Sequence, residues 1–394
     1  MKLNIPPGYE DLKHHFEIYL NCFFYSGLPI MSYKNKLYYV YVIITYLNSL
    51  SLLLATIIDL ILHLDELRHI MENSRVVFAL SVATWVWNLC CIQRKKIIHL
   101  MRLATAFKTV EVPSETEGFS MTKRLPKMSK LAKYVYISIT VFHLSYCAVR
   151  IIIRDDRPYT TNAYYGPGTT NSPYYELLTA SQIIAELTAL VPFFIFTCLY
   201  AHLIAFACSQ LEICQDSIKY ISRNLRTNDS SETKNPMEKQ LSLCIRHHQQ
   251  ILEYMMALED TLNPILMGEF FLILVGMCFS AFSFAESWGN TLDMTQAFVV
   301  YCCFLGKLYV YCWLGNELTY LADGVGGAAW ECDWIGASIP FQRSLITIII
   351  IANKEFVITA GKFVPASRKT MMNVINQTIS IFMFLVNMKD RTTA

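Results

Sequence analysis

The chain has 394 residues, of which 54% are hydrophobic and only 16% are charged, and its net charge is +2. Soluble domains carry roughly a quarter charged residues, and soluble chains of this length divide into domains with polar exteriors. The composition therefore excludes an ordinary soluble protein, gives no sign of nucleic-acid binding, and predicts an all-α polytopic protein of the lipid bilayer.

Residues 1–34 precede the first apolar run and contain prolines and charges where a secretory signal would be apolar. Apolar residues recur in it at helical spacing, at Leu12, Phe16, Tyr19, Leu20 and Phe23, before Gly27 and Pro29 break the pattern. We expect a short amphipathic or re-entrant helix at the cytoplasmic interface, and targeting by the first membrane span.

Seven apolar runs have about the 20 residues that a membrane-spanning helix needs. They lie near 37–62, 76–92, 134–153, 177–207, 265–285, 295–315 and 371–388. The run 345–352 is too short to cross and predicts a helix buried in protein. The helical pattern of the fourth run continues through 208–225, and the stretch 241–262 leads into the fifth, so two helices are predicted to project into the cytoplasm.

The distribution of Lys and Arg orients these spans, because cytoplasmic loops carry an excess of both. With the N-terminus inside, the inner segments hold 25 Lys and Arg and the outer segments hold 7. The sequence thus predicts a cytoplasmic N-terminus and an extracellular C-terminus. That orientation is opposite to the one found in G-protein-coupled receptors.

The outer loop 154–176 contains five tyrosines. It is either a flexible connector or a lid packed over the outer mouth of the bundle.

Most of the thirteen cysteines lie inside apolar runs, no C-x-x-C pair occurs, and the histidines lack ligand spacing. We therefore expect structural cysteines, no metal and no cofactor. No nucleophile–base constellation is present, which argues against an enzyme. Four charges lie within spans, at Asp59, Glu186, Glu269 and Lys307, and a structural Glu269–Lys307 pair is the preferred interpretation.

The C-terminal region resembles the insect odorant receptors. The resemblance is carried by Trp330 and Trp334, the Arg-Ser-Leu at 343–345 before a short apolar helix, "AGKF" at 360–363 and a closing membrane helix. "YSGLPI" (25–30) is similar to an element that precedes the family's first span. Gustatory receptors end their last helix differently, and the family's co-receptor has a longer loop between spans four and five, so the chain resembles an odour-binding subunit.

This resemblance implies an odorant-gated, non-selective cation channel in the plasma membrane of olfactory sensory neuron dendrites. Such subunits form heterotetramers with the odorant-receptor co-receptor, bind a small volatile apolar odorant, and pass cations. The implied organisation is a cytoplasmic segment 1–34, spans one to six over 35–316 with a cytoplasmic helical extension at about 208–264, and an anchor helix followed by a pore-lining span over 317–394.

The seventh span carries a polar stripe that hydrocarbon cannot satisfy. Recurrence at three or four residues places one set on a common face: Asn373, Gln377, Ser380, Phe384, Asn387 and Met388. Contact with polar groups of another helix is the alternative for any single amide. Since the family places this helix at the pore, we expect these residues to line it, with Phe384 as a hydrophobic constriction.

Outer-half positions that face the bundle predict an apolar ligand pocket with one or two hydroxyls. The candidates are Phe78, Val82, Phe142, Tyr146, Val149, Ile184, Thr188, Phe279, Phe282, Tyr301 and Leu305. For each of them, plain helix packing is the alternative.

A gustatory-type ligand-gated channel and a metabotropic seven-span chemoreceptor are the other functions considered. The loop charges disfavour the second. A transporter would show paired broken helices in matching halves, and no such repeat is visible.

Overall fold

Helices make up almost the whole chain in the computed structural model, which describes residues 12–33, 35–107, 121–153, 159–227, 234–287, 291–332 and 334–393. The helices are α1 Lys13–Tyr25, α2 Lys36–Leu62, α3 Leu67–Ile92, α4 Arg94–Ala106, α5 Met121–Ile153, α6 Tyr174–Leu190, α7 Phe196–Thr227, α8 Lys234–Glu286, α9 Thr291–Trp330, α10 Ile339–Ala352 and α11 Arg368–Thr393. Strands β1 Thr359–Ala360 and β2 Val364–Pro365 form an antiparallel hairpin before α11.

Among the described residues, six helical segments are long and apolar enough to cross a bilayer. They are Lys36–Leu62, His69–Ile92, Lys130–Ile152, Tyr174–Ile221, Glu238–Glu286 and Asp293–Trp330, and each corresponds to one of the first six predicted spans. The seventh predicted span is α11, whose 26 residues reach about 39 Å. Its crossing of the membrane stays a prediction, as does the orientation of the termini.

A π-helical turn, Val191–Ile195, joins α6 to α7. Pro192 lies within it and supplies no backbone N–H, so the regular helical hydrogen-bond ladder is interrupted there. Lys307 of α9 donates to the carbonyl of Phe193 at 2.9 Å and so pairs one oxygen of the turn. The fourth predicted span therefore consists of two helices, α6 and α7, that are joined by a widened turn.

Beyond the membrane-length runs, α7, α8 and α9 continue as a second bundle. The stretch 241–262 and the fifth span are one helix of 53 residues that tolerates Pro264. At this position the Asn263 side chain donates to the Thr359 carbonyl at 3.0 Å and ties α8 to the hairpin. Helix α10 packs against α8 and α9, as the short apolar run predicted.

Two short helices show packing that the sequence did not specify. The predicted apolar face of α1 is buried within the protein, against α5 and the π-helical turn, and the location of α1 relative to the membrane stays a prediction. Helix α4 was not predicted, because its lysines and arginines are typical of a charged cytoplasmic loop. Its apolar residues nevertheless share a buried face that packs on α8, including Ile97, Leu100 and Met101.

Candidate functional site

A cavity of about 190 Å³ lies among α3, α5, α6, the π-helical turn and α9. It is at the end of the bundle where α5 ends and α9 begins, which the predicted topology places outside. Most of its wall is apolar, with Leu80, Ala189 and Val299 among its members. Thr160 and Thr161, from the tyrosine-rich segment, close one side, so this part of the segment packs over the cavity as a lid would.

Glu186 of α6 is the acidic group of the cavity wall, and it is fully engaged. One carboxylate oxygen accepts from Thr160 at 3.2 Å and from Thr161. The other lies 3.0 Å from Nε2 of His143 and 3.8 Å from Sγ of Cys147. The carboxylate therefore has four partners and holds the covering segment onto α5 and α6.

Arg75 of α3 is the basic group of the wall, and it is only 2% exposed. Its terminal nitrogens donate to Ser283 of α8 and to Gln296 of α9, both neutral. Its Nε has no hydrogen-bond partner among the described residues. The cavity thus has an acidic pole, Glu186, whose oxygens all have partners, and a basic pole, Arg75, which lies near the charges of Glu72 and Asp293.

Two of the eleven predicted pocket residues, Phe142 and Tyr146, line this cavity. Nine do not: Phe78, Val82, Val149, Ile184, Thr188, Phe279, Phe282, Tyr301 and Leu305. Phe78 instead stacks on Phe279, with ring centroids 5.3 Å apart, and Ile184 is exposed on the outside of the bundle. In α3 and α9 the wall is formed by neighbouring positions, because helical spacing gives the faces but not their rotation towards the cavity.

The buried pair predicted from isolated charges is present. Lys307 Nζ lies 2.6 Å from Oε1 of Glu269, and both side chains are almost completely inaccessible. The ammonium group also lies 4.3 Å from the ring centroid of Phe193. This confirms a structural pairing, which is located beside the π-helical turn.

Helix α11 packs on α8 and α9 through one side only. Val374 and Thr378 are buried, whereas Asn373, Gln377, Ser380, Phe384 and Asn387 are exposed in the single chain. At 100° per residue these exposed positions centre roughly 120° around the helix from the packed side. The predicted pore face is therefore turned away from the rest of its own subunit; the side chain of Met388 lies outside the described ones.

Sequence spacing missed two groups of His, Cys, Asp and Glu side chains that the fold brings together among the described residues and that have the chemistry to hold a metal ion. They are Asp59, His63 and His69, and His143, Cys147 and Glu186, each with its ligand atoms within 4.8 Å of one another. The second group belongs to the acidic pole of the cavity. None of the thirteen cysteines, all of which the structure describes, forms a disulfide, and most are buried among apolar residues as predicted.

Comparison with known proteins gives consistent matches. A family model described as 7tm odorant receptor matches residues 66–379. Odorant receptor Or2 of Anopheles gambiae is 24% identical over 216 residues, which cover 54% of this chain and 57% of that protein. Odorant receptor 2a of Drosophila melanogaster is 22% identical over 371 residues, which cover 90% of this chain and 92% of that protein.

The fold is similar to that of the insect olfactory receptor OR5 from Machilis hrabei in complex with eugenol. The TM-score is 0.78 at 14% identity, over 96% of this chain and 100% of that chain. The chain spans about half the length of several curated relatives that it matches, such as 46% of odorant receptor 67c of Drosophila melanogaster.

Proposed function

Because this chain belongs to the 7tm odorant receptor family, we propose that it is the odour-binding subunit of a ligand-gated, non-selective cation channel. It is a multi-pass membrane protein rather than an enzyme. In the proposed channel it assembles into a heterotetramer with the odorant-receptor co-receptor, and odorant binding within the subunit opens a central pore.

The cavity is the observation that carries the proposal. Its lining is mainly apolar, it is built from four helices, and Thr160 and Thr161 cover it. A small volatile molecule would gain binding free energy there chiefly by burying apolar surface, at about 25 cal/mol per Å². The olfactory receptor from Machilis hrabei with the same fold was solved with a small aromatic compound, eugenol, which supports a ligand of this size class.

The orientation of α11 supports its role as the pore helix. A helix that packs on its own subunit through Val374 and Thr378 leaves its amides facing away from that subunit. Hydrocarbon cannot satisfy these groups, so they need water or a neighbouring subunit. A central pore formed by four such helices provides both.

Cysteine accessibility tests this arrangement with a control in the same helix. In channels expressed with the co-receptor, Gln377→Cys and Ser380→Cys should react with an aqueous thiol reagent while odorant is applied, with a change in current. Thr378→Cys, at a side chain only 1% exposed, should not react. Unreactive cysteines at 377 and 380 in the open state would exclude this pore.

Electrical recording tests the channel itself. Cells that express the chain with the co-receptor should show inward cation current within an odorant panel, and cells with either subunit alone should not give the same odorant profile. Epitope tags should report a cytoplasmic N-terminus and an extracellular C-terminus in intact cells. The reverse orientation would favour a metabotropic receptor instead.

A further inference from the structure

Arg75 is buried at the wall of the cavity, where the negative charges of Glu72 and Asp293 are near enough to act on it. A guanidinium group removed from water needs hydrogen bonds for its five N–H donors. The described hydrogen bonds of Arg75 go to the neutral side chains of Ser283 and Gln296 and use two of these five donors.

Glu186, at the acidic pole of the cavity, needs no hydrogen bond from a ligand. Glu186 accepts from two threonines and lies within hydrogen-bonding distance of His143 and Cys147, so its acceptor capacity is used inside the protein. The remaining wall near Arg75 combines the polar side chains of Gln296 and Tyr146 with apolar residues such as Val76 and Val299. A ligand that offers an acceptor is therefore compensated in this cavity, whereas a ligand that offers only a donor meets a saturated carboxylate.

We propose that Arg75 is the specificity-determining group of the cavity and that its ligands are small apolar molecules carrying a carbonyl-type oxygen, as in ketones, esters and carboxylic acids. The oxygen accepts from the Arg75 guanidinium, and the hydrocarbon body fills the apolar remainder. This inference rests on the proposed function, since it assigns a ligand class to the same cavity.

Matched ligand pairs test it on the unmodified receptor. Acetophenone and ethylbenzene differ mainly by the carbonyl oxygen, and a heptanone–heptane pair repeats the comparison with an aliphatic body. A hydrogen bond to a charged donor contributes about 1.5–3 kcal/mol, so the ketone should act at a concentration roughly ten- to a hundredfold lower. Equal potency within both pairs would overturn the proposal while leaving an odorant-gated channel intact.

Substitution then locates the effect. Arg75→Met should bring the ketone-to-hydrocarbon potency ratio close to one, and Arg75→Lys should retain part of it. Arg150→Met is the matched control, because Arg150 is another buried arginine at this end of the bundle and does not line the cavity. It should leave the ratio unchanged even if both potencies fall, and a ratio lost equally in both variants would contradict the assignment.

Ligand binding to the purified chain distinguishes a failure of the proposed channel function from a failure of the Arg75 proposal. If no odorant produced current, the proposed function would fail, but thermal stabilisation of the detergent-solubilised protein by the ketone and not by the hydrocarbon would still support Arg75. If neither or both ligands stabilised it equally, the Arg75 proposal would fail whatever the currents showed.

A second site stands on a separate observation. Asp59 near the end of α2 lies 2.6 Å, through Oδ2, from Nε2 of His69, and its Oδ1 lies 3.6 Å from Nδ1 of His63. Asn73 donates to Oδ2 at 3.0 Å and so orients the carboxylate. The Nδ1 of His63 also lies 2.9 Å from the Asp59 carbonyl, which holds the imidazole beside the carboxylate.

We infer that Asp59, His63 and His69 form a Zn²⁺ site. Two imidazoles and one carboxylate are a ligand set that zinc takes in proteins, with the fourth position left for water. His63 is exposed enough to give the ion access, at 41% of its side chain. The ion would clamp the connection between α2 and α3, at the same end of the bundle as Arg75.

Cobalt substitution tests this site without reference to channel activity. The purified chain with Co²⁺ should show the absorption of a tetrahedral complex, which Zn²⁺ displaces. His63→Ala and His69→Ala should each abolish it, and Asn73→Ala should weaken affinity about 10–100-fold. His99→Ala, at an exposed position of α4, is the control, and this variant should bind Co²⁺ normally. Absent cobalt absorption, or absorption that survives loss of both histidines, would overturn the site.

Discussion

At the scale of single residues, the buried charges organise the centre of the bundle. Lys307 joins three elements, because it pairs with Glu269 of α8 and donates to the π-helical turn from α9. Removing one member of a buried pair leaves an uncompensated charge, whereas replacing both leaves an apolar core.

Lys307→Met should lower the free energy of unfolding by about 3–5 kcal/mol. The reason is that Glu269 would remain buried without its counter-charge. Thermal unfolding of the detergent-solubilised protein measures the change. The double variant Lys307→Met/Glu269→Leu should recover most of the loss, and equal destabilisation in the single and double variants would contradict this explanation.

The sequence identified this pair but not the cavity wall, and the reason is geometric. Opposite charges on adjacent spans have one obvious partner, so Glu269 and Lys307 could be matched without a structure. A pocket depends on the rotation of each helix, and a shift of two positions replaces Phe78 by Val76 or Leu80. Arg75 lies just outside the predicted second span, 76–92.

At the scale of helices, contact between α3 and α8 depends on a residue without a side chain. A Cβ placed on Gly268 would lie 2.1 Å from Cε2 of Trp85. The Trp85 indole is also fixed, because its Nε1 donates to the Ile265 carbonyl at 3.0 Å. Helices α3 and α8 therefore cannot move apart to accommodate a larger residue without breaking that hydrogen bond.

Gly268→Ala should therefore destabilise the protein by about 1–3 kcal/mol through overpacking. Gly306→Ala is the matched control, since a Cβ there has no neighbouring atom within 4 Å. This second change should be neutral or stabilise by up to about 1 kcal/mol, because alanine favours helix. Thermal unfolding of both variants checks the contrast, which would be refuted by similar shifts.

The C-terminal helix permits a prediction about gating. Phe384 is 62% exposed on the polar face of α11. Phenylalanine rings at this position of the proposed pore would exclude water from the closed channel. Phe384→Ala should raise the basal current or alter ion selectivity in odorant-free recordings. Ile379→Ala is the control, because Ile379 is exposed on a lateral face of α11. Unchanged resting conductance in Phe384→Ala would argue strongly against this gate.

Helix positions were predictable where an apolar run of membrane length exists, as for α2 or α5. Helix ends were not, because α8 and α9 continue on amphipathic patterns after the apolar run stops. Helix α4 escaped notice because its lysines and arginines dominate its composition. The burial of α1 needed the partner faces of α5 and the π-helical turn, which no local pattern specifies.

At the scale of the whole molecule, the end of the bundle formed by α9 and α10 leaves a large apolar surface uncovered. Trp330, Ile335, Ile339, Ile346 and Ile350 are all more than half exposed in the single chain. An exposed patch of this kind in water marks an interaction surface. In the proposed heterotetramer it is covered by a neighbouring subunit.

Ile346→Asp together with Ile350→Asp should abolish co-purification with the co-receptor, since two carboxylates would be buried without partners in the interface. Thr347→Asp is the control, on the exposed neighbouring position of α10. Circular dichroism of the purified variants should show native helix content. Normal assembly of the double variant would show that this patch is not the contact between subunits.

The turn that joins α6 to α7 has a mechanical consequence. Phe193 and Phe194 belong both to it and to the wall of the cavity. From there α7 runs for 32 residues, roughly 48 Å, towards the opposite end of the protein. In the proposed channel, an odorant that displaced these two rings would shift the start of α7, and a small rotation there would move the far end of this long helix by a larger distance.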